Sequence, residues 1–211
     1  VTTATGGDAA SPTGPAEDGG ALTADPVQAS HLDELLDAVL LGGRRPVFVT
    51  IVDYDPNWPG RYEIERHRLQ GALGGLAQRV EHIGSTSVPG LAAKPVIDVL
   101  VEVEDPDDEG RYRPPLEEAG YLLRVREPRH RMFGTPARDA NVHLWPAGSP
   151  EAAEYLVFQD WLRAQPADRR LYERTKRALA GRTWPDMNYY AEAKGPVVAE
   201  IRQRAAEAAS R

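Results

Sequence analysis

The stretch Glu81 to Val103, EHIGSTSVPGLAAKPVIDVLVEV, holds the residues whose types and spacing point most directly to chemistry. Gly84 lets the backbone turn closely, and the N–H groups and hydroxyls of Ser85, Thr86 and Ser87 suit phosphate oxygens. Lys94 adds positive charge. Asp98 stands in a strand otherwise built for burial, where a carboxylate is costly unless it pairs with a cation, accepts hydrogen bonds or binds a metal. Each part also has a plain reading, as turn chemistry or as a strand-end acid paired with arginine. It is their combination that points to a phosphate and metal site.

Further candidates lie elsewhere. Asn141-Val142-His143 puts an amide and an imidazole on one strand face, and Glu81 and His82 flank the Gly-Ser turn. Asp98, His143 and Glu81 would make a chemically coherent single-metal site, with His143 alternatively moving a proton. Arg129 and Arg131 alternate onto one face of an expected strand, where guanidinium forks suit phosphate or carboxylate. For Arg124 and Arg126 a solvated sheet edge is the favoured reading. Tyr172 with Lys176, and Tyr190 with Lys194, share a helix face at a spacing of four, so they either reach a ligand or pack ring against stem. Trp58 is the tryptophan most suited to line a cleft.

The elements that must position these groups are legible in outline. Residues 1–30, rich in Gly, Ala, Thr, Pro and acid, read as a disordered tail ahead of one domain over residues 31–211. Leu32, Leu35, Leu36 and Val39 recur at helical spacing before Gly42-Gly43. Pro46 to Val52 (PVFVTIV) reads as a strand, and residues 59–77 as a helix with one apolar face. Arg79–Ile83 and Pro95–Val103 read as strands flanking the polar loop, and a short helix follows at Leu116–Ala119. Short strands are expected at residues 121–125, 130–133 and 141–145, then helices at 151–164, 167–180 and 186–208. Strands interrupted by helices and closed by a helical C-terminal part imply an α+β fold, a mixed sheet flanked by helices.

Composition narrows the classes. The formal charge of −7 disfavours a broad nucleic-acid-binding surface while leaving room for a local basic cleft. With no cysteine, disulfides, thiolate metal sites and thiol nucleophiles are excluded. No apolar run is long enough to span a membrane, and the first residues lack a signal-peptide pattern. The expectation is a cytoplasmic protein acting on a small molecule, without nucleic acid or membrane as partner. Its Ala, Arg, Pro and Gly richness suggests a GC-rich bacterial genome.

Glu81-His82 followed by IGSTSVPGL, a short spacer, Lys94-Pro95 and an apolar strand bearing Asp98 resembles the signature of the GrpB family. The resemblance extends over Tyr54–Trp58, the Arg129–Phe133 segment, Phe158–Arg163, and Tyr172 with Lys176. That family is in turn similar to the DNA polymerase beta-like nucleotidyltransferases. The resemblance implies a nucleotidyltransferase-like fold, a nucleoside triphosphate such as ATP held at Gly84-Ser85, and a divalent metal on Asp98, magnesium or manganese ahead of zinc. It implies transfer of a nucleotidyl group to a small acceptor, or activation of that acceptor. The superfamily's second acid, two residues on, is here Leu100. Glu102 shares Asp98's face but lies roughly 13 Å along the strand, too far for one metal. Two other classes therefore fit the same residues: an anion-binding module that has lost the second acid, and a nucleotide-independent enzyme using Asp98, His143 and the arginines.

Overall fold

The computed structural model describes residues 26–209. Helix α1 (Pro26–Val39) starts five residues ahead of the helix expected from His31, and residues 1–25 of the expected tail lie outside the described residues. Next come β1 (Val47–Phe48), α2 (Trp58–Leu73) with a 3-10 turn at Gly74–Leu76, and β2 (Arg79–Ile83). After a second 3-10 turn, Ser85–Ser87, the chain forms β3 (Ile97–Val103), α3 (Glu109–Glu118), β4 (Leu122–Glu127), β5 (His130–Gly134) and β6 (Ala140–Pro146). The rest is α4 (Pro150–Ala164), α5 (Pro166–Leu179), β7 (Thr183–Trp184), α6 (Met187–Ala193) and α7 (Gly195–Ala209).

The main sheet has the order β2-β3-β6-β5-β4. Only the β3–β6 pair is parallel, so the sheet is mixed, and the fold is α+β with a helical C-terminal part. Alternation gives each face its own cover. Ile97, Val99, Val101 and Val103 of β3 join Val142, Leu144 and Phe133 on one face, beneath Trp58, Leu69 and Leu73 of α2 and Tyr112 and Leu116 of α3. The other face carries Ile83 and Leu100, which pack with Ala152, Tyr155 and Leu156 of α4. Ser149 caps α4 by accepting from the Ala152 N–H at 3.2 Å, which fixes where this cover begins.

Three expectations change, the first being the short helix expected at Leu116–Ala119, which is the end of the ten-residue α3. The segment Pro46–Val52 pairs as a strand over Val47–Phe48 alone, with β7, apart from a bridge between Val52 and Ala93. Its β-branched residues serve a different core, in which Val49 packs with Leu179 and Tyr190 and its backbone bonds to Gly181 and Arg182. The helix expected over 186–208 is two, parted at Lys194. Pro196, with no N–H to donate, sits in the first turn of the second helix, Gly195–Ala209, where that donor is not needed. That break turns Tyr190 and Lys194 toward a cavity.

Candidate functional site

The cavity, about 260 Å³, opens between the Gly84–Thr86 turn and the C-terminal helices. Gly84, Ser85, Thr86, Lys94 and Asp98 line it from the sheet side, and Tyr172, Lys176, Tyr190 and Lys194 line it from α5 and the α6–α7 break. It thus gathers groups drawn from more than one hundred positions of the chain, from Gly84 to Lys194.

Its charge is unusual for this molecule. Of 25 basic residues three are lysines, and all three, Lys94, Lys176 and Lys194, line this cavity. Arginines and histidines make the ion pairs among the described residues, and no lysine takes part in one. Lys94 Nζ has the Met187 thioether as its hydrogen-bond partner, at 2.9 Å, a weak acceptor. Burial lowers its pKa, opposed by Asp98 and reinforced by Lys194. Lys176 is 2% exposed and donates to Ser85 Oγ at 2.9 Å and to the Ala92 carbonyl. Burial, with Lys194 adding to it, lowers its pKa to about 7. Lys194 Nζ sits over the ring of Tyr190, 4.8 Å from its centroid. The Tyr190 hydroxyl is buried and has no hydrogen-bond partner among the described residues.

Asp98 is the one carboxylate among the described residues lining the cavity. Its Oδ1 accepts from the Asn141 amide at 2.9 Å, and His143 Nε2 stands 3.9 Å away. Burial opposes the charge, but His143, Lys94 and Asn141 outweigh it and hold the carboxyl below the ordinary aspartate range. His143 is itself held from behind. Glu127 Oε2 lies 2.7 Å from His130 Nδ1, and His130 Nε2 lies 3.2 Å from His143 Nδ1. Glu127 and His130 thus fix the orientation of the His143 ring, whose Nε2 faces Asp98. His143 and Asn141 therefore act through Asp98, as positioning residues rather than cavity walls.

The Gly-Ser-Thr-Ser turn divides its labour. Ser85 faces the cavity, and Thr86 lines it while its Oγ1 bonds to the Val96 carbonyl and to His82 Nε2, at 3.3 and 3.0 Å. Ser87 instead braces the turn, its Oγ 2.7 Å from Gly84 O and 2.8 Å from Gln159 Oε1, and Arg163 holds its carbonyl at 2.9 Å. Gly84 has φ +72°, and a Cβ there would lie 2.7 Å from Asp98 Oδ2. Gly90 has a similar φ of +75° with nothing within 4 Å of such a Cβ. Gly84→Ala should therefore cost about 1–3 kcal/mol, and more than Gly90→Ala, because it adds collision with the carboxylate to backbone strain. Urea unfolding of the two variants side by side tests this, and equal losses would mean that the turn does not press on Asp98.

Several candidates fall elsewhere. Glu81 pairs with Arg79 at 3.1 Å, and no group of three or more His, Asp or Glu among the described residues could hold a metal ion. His82 points to the opposite face and stacks on Tyr62, centroids 4.7 Å apart, with burial lowering its pKa to about 4. Trp58 is fully buried in the core under that face and lines no cleft. Arg131 also faces that side, where it pairs with Asp107 at 2.9 Å and with Glu109; its register with Leu144 rather than His143 dictates this. Arg129 lies in the β4–β5 turn with φ 60°, so it shares no strand face with Arg131. Conversely, Tyr155, Phe158, Met187 and Arg202 line the cavity without having been singled out. The rarity of lysine in so arginine-rich a chain was the available signal.

These features define an α+β protein with a lysine-walled cleft between a mixed sheet and its C-terminal helices. The family model described as GrpB protein matches residues 48–204. A UPF0157 protein of Halalkalibacterium halodurans is 47% identical over 178 residues, 82% of this chain and 91% of that protein. A UPF0157 protein of Streptomyces coelicolor is 48% identical over 169 residues, 80% of this chain and 90% of that one. A protein named dephospho-CoA kinase, from Mycolicibacterium paratuberculosis, is 33% identical over 186 residues, covering 74% of this chain but 46% of the kinase. Among solved structures, conserved protein GrpB from Enterococcus faecalis superposes with a TM-score of 0.67 at 29% identity, covering 77% of this chain and all of that one. The chain belongs to the GrpB family. No helix among its described residues is long and apolar enough to cross a membrane.

Proposed function

We propose that the cavity binds the phosphates of a nucleoside triphosphate and that the chain transfers the nucleotidyl group to, or thereby activates, a small acceptor. One observation carries this reading: the chain's three lysines converge, without carboxylate partners, on a cavity floored by Asp98 and the Ser85 turn. A half-buried cation without an ion-pair partner is costly, so Lys94 and Lys194 are best understood as awaiting an anion. Lys94, whose partner is a thioether, gains most from a phosphate oxygen. Lys194 and the unpartnered Tyr190 hydroxyl supply donors on the opposite wall.

The donor set does not fit a resident metal, because Asp98 is its one carboxylate. It does fit magnesium or manganese shared between Asp98 and the ligand's own phosphates, an arrangement such ions favour. When bound there, the ion would neutralise charge on the phosphates. The chain's own work is then to hold the phosphates on Lys94 and Lys194 and to keep Asp98 ionised through Asn141 and His143. Transfer joins an acceptor oxygen to the α-phosphorus as the bond to the leaving pyrophosphate breaks. The nucleotidyltransferase resemblance of the Gly84-Ser85 turn and Asp98 supports the nucleotide. The lone carboxylate also favours a second reading, an anion-binding module without turnover.

Calorimetric titration with ATP, GTP, CTP and UTP, each with magnesium or manganese, separates these readings. Lys94→Met and Lys194→Met are each expected to weaken triphosphate binding about 10–100-fold, the worth of a charge-assisted hydrogen bond. Asp98→Asn should abolish turnover and remove the metal's contribution to affinity while the fold persists. Binding without turnover across acceptors would select the module. No binding at millimolar nucleotide would overturn the nucleotide reading.

A further inference from the structure

Lys176 is not needed as a cation by the proposal above, and its surroundings differ from those of its two companions. Its Nζ donates to Ser85 Oγ and to the Ala92 carbonyl, which uses two N–H bonds and leaves a neutral amine one lone pair. Lys194 faces it from the α6–α7 break, and Glu173 and Arg177 flank it on α5. The Glu173 carboxylate is turned to the Ala92 N–H, 3.4 Å, and to Arg177, 3.0 Å. The Tyr172 ring, 4.7 Å away, favours the charged form, while burial and Lys194 act against it and lower the pKa to about 7. Arginine cannot release its proton in a protein, whereas a desolvated lysine beside another cation is the usual way to make a nucleophilic amine. A chain that otherwise uses arginine for charge has put a lysine at this buried position.

We propose that Lys176 is a nucleophilic amine, and that the cavity captures a small aldehyde or 2-oxo acid as an imine on its Nζ with the ligand's anionic group on Lys94 and Lys194. The Nζ lone pair forms a bond to the carbonyl carbon, and the carbonyl π pair moves to oxygen, which takes up a proton. Loss of an amine proton and of that oxygen as water completes the imine, with no net redox change. This activity goes beyond nucleotide binding and stands or falls separately from it.

Glyoxylate, a small anionic aldehyde, is the probe. The whole chain is incubated with glyoxylate near neutral pH and treated with borohydride, which converts any imine to a stable carboxymethylamine located by peptide mass spectrometry. Lys176 is expected to take the label about tenfold or more faster than Lys94 and Lys194, because its burial among Ser85, Ala92 and Tyr172 favours the neutral, nucleophilic amine. The preference should vanish in urea, and Lys176→Arg should remove that label while the other two lysines label as before. Comparison within one folded molecule keeps the test independent of how the variant folds. Equal labelling of the three lysines, or none at Lys176, overturns the proposal. Nucleotide binding is measured in parallel: labelling without it defeats only the nucleotide reading, and nucleotide binding without labelling defeats only this one.

Discussion

Lys176→Met should be more stable than the parent chain at pH 7 and less stable at pH 10. In the unfolded chain this lysine keeps its proton to about pH 10.4, whereas burial and Lys194 lower its pKa to about 7 in the fold. Between those limits the unfolded state binds more protons, so the parent's stability rises with pH. Below the folded value the penalty is present in full. The gain is about 1.4 kcal/mol per pH unit, or roughly 4–5 kcal/mol across the window. Methionine fills similar space without a charge and removes this dependence. It also leaves the Ala92 carbonyl without its donor, a loss of about 1–3 kcal/mol at every pH. At pH 7 the first effect is larger, and by pH 10 only the second remains. The two stability curves must therefore cross, which urea unfolding across that range will reveal. Parallel curves would mean that Lys176 stays protonated in the fold. A crossing would show that the cavity holds this amine at the expense of stability, as expected where function dictates the residue.

How far the sequence discloses this site depends on where each residue gets its neighbours. Asp98 stood out because a single acid in a run of valine and leucine is anomalous locally, and Ser85–Ser87 because the turn lies next to it in sequence. Tyr172, Lys176 and Lys194 were legible through helical spacing and family resemblance, although nothing local tells whether a lysine packs on a ring or faces a ligand. Tyr190 gained its place from the interruption before Pro196, which apolar periodicity conceals. Arg131 and Trp58 sit away from the cavity for a shared reason: strand alternation and aromatic size say that a residue faces something, while α2 and α3 decide what. The β-branched run Pro46–Val52 carries a strand pattern, yet its partners are the residues around Gly181 and Tyr190, more than one hundred positions away, rather than the main sheet. The main sheet's outline was readable from Arg79 onward because each strand carries its own alternation; the burial of each face was not.

Leu100 brings that distinction to a test. The resemblance to the nucleotidyltransferases implies a second metal-binding acid at this position, and Leu100→Asp would supply that two-acid pattern on one strand face. The structure gives a different expectation. Leu100 is fully buried, packed with Ile83 and with Ala152, Tyr155 and Leu156 of α4, and it does not border the cavity. Leu100→Ala should cost about 2–5 kcal/mol for lost packing and the space left behind. Leu100→Asp should cost about 3–5 kcal/mol more at neutral pH, because an unpaired carboxylate would sit under α4. Burial raises the folded pKa of such a carboxyl above its unfolded value. The added penalty is therefore full above the folded value and fades as pH falls toward the unfolded one. Unfolding of both variants from neutral to mildly acidic pH, with and without magnesium or manganese, reads this directly. If either metal restored the stability of Leu100→Asp, α4 would have to yield and the position would be a metal site in waiting. If the difference from Leu100→Ala narrows with acid and ignores metal, α4 holds this face as core, and on the proposed function Asp98 works with the ligand's phosphates rather than with a second protein acid.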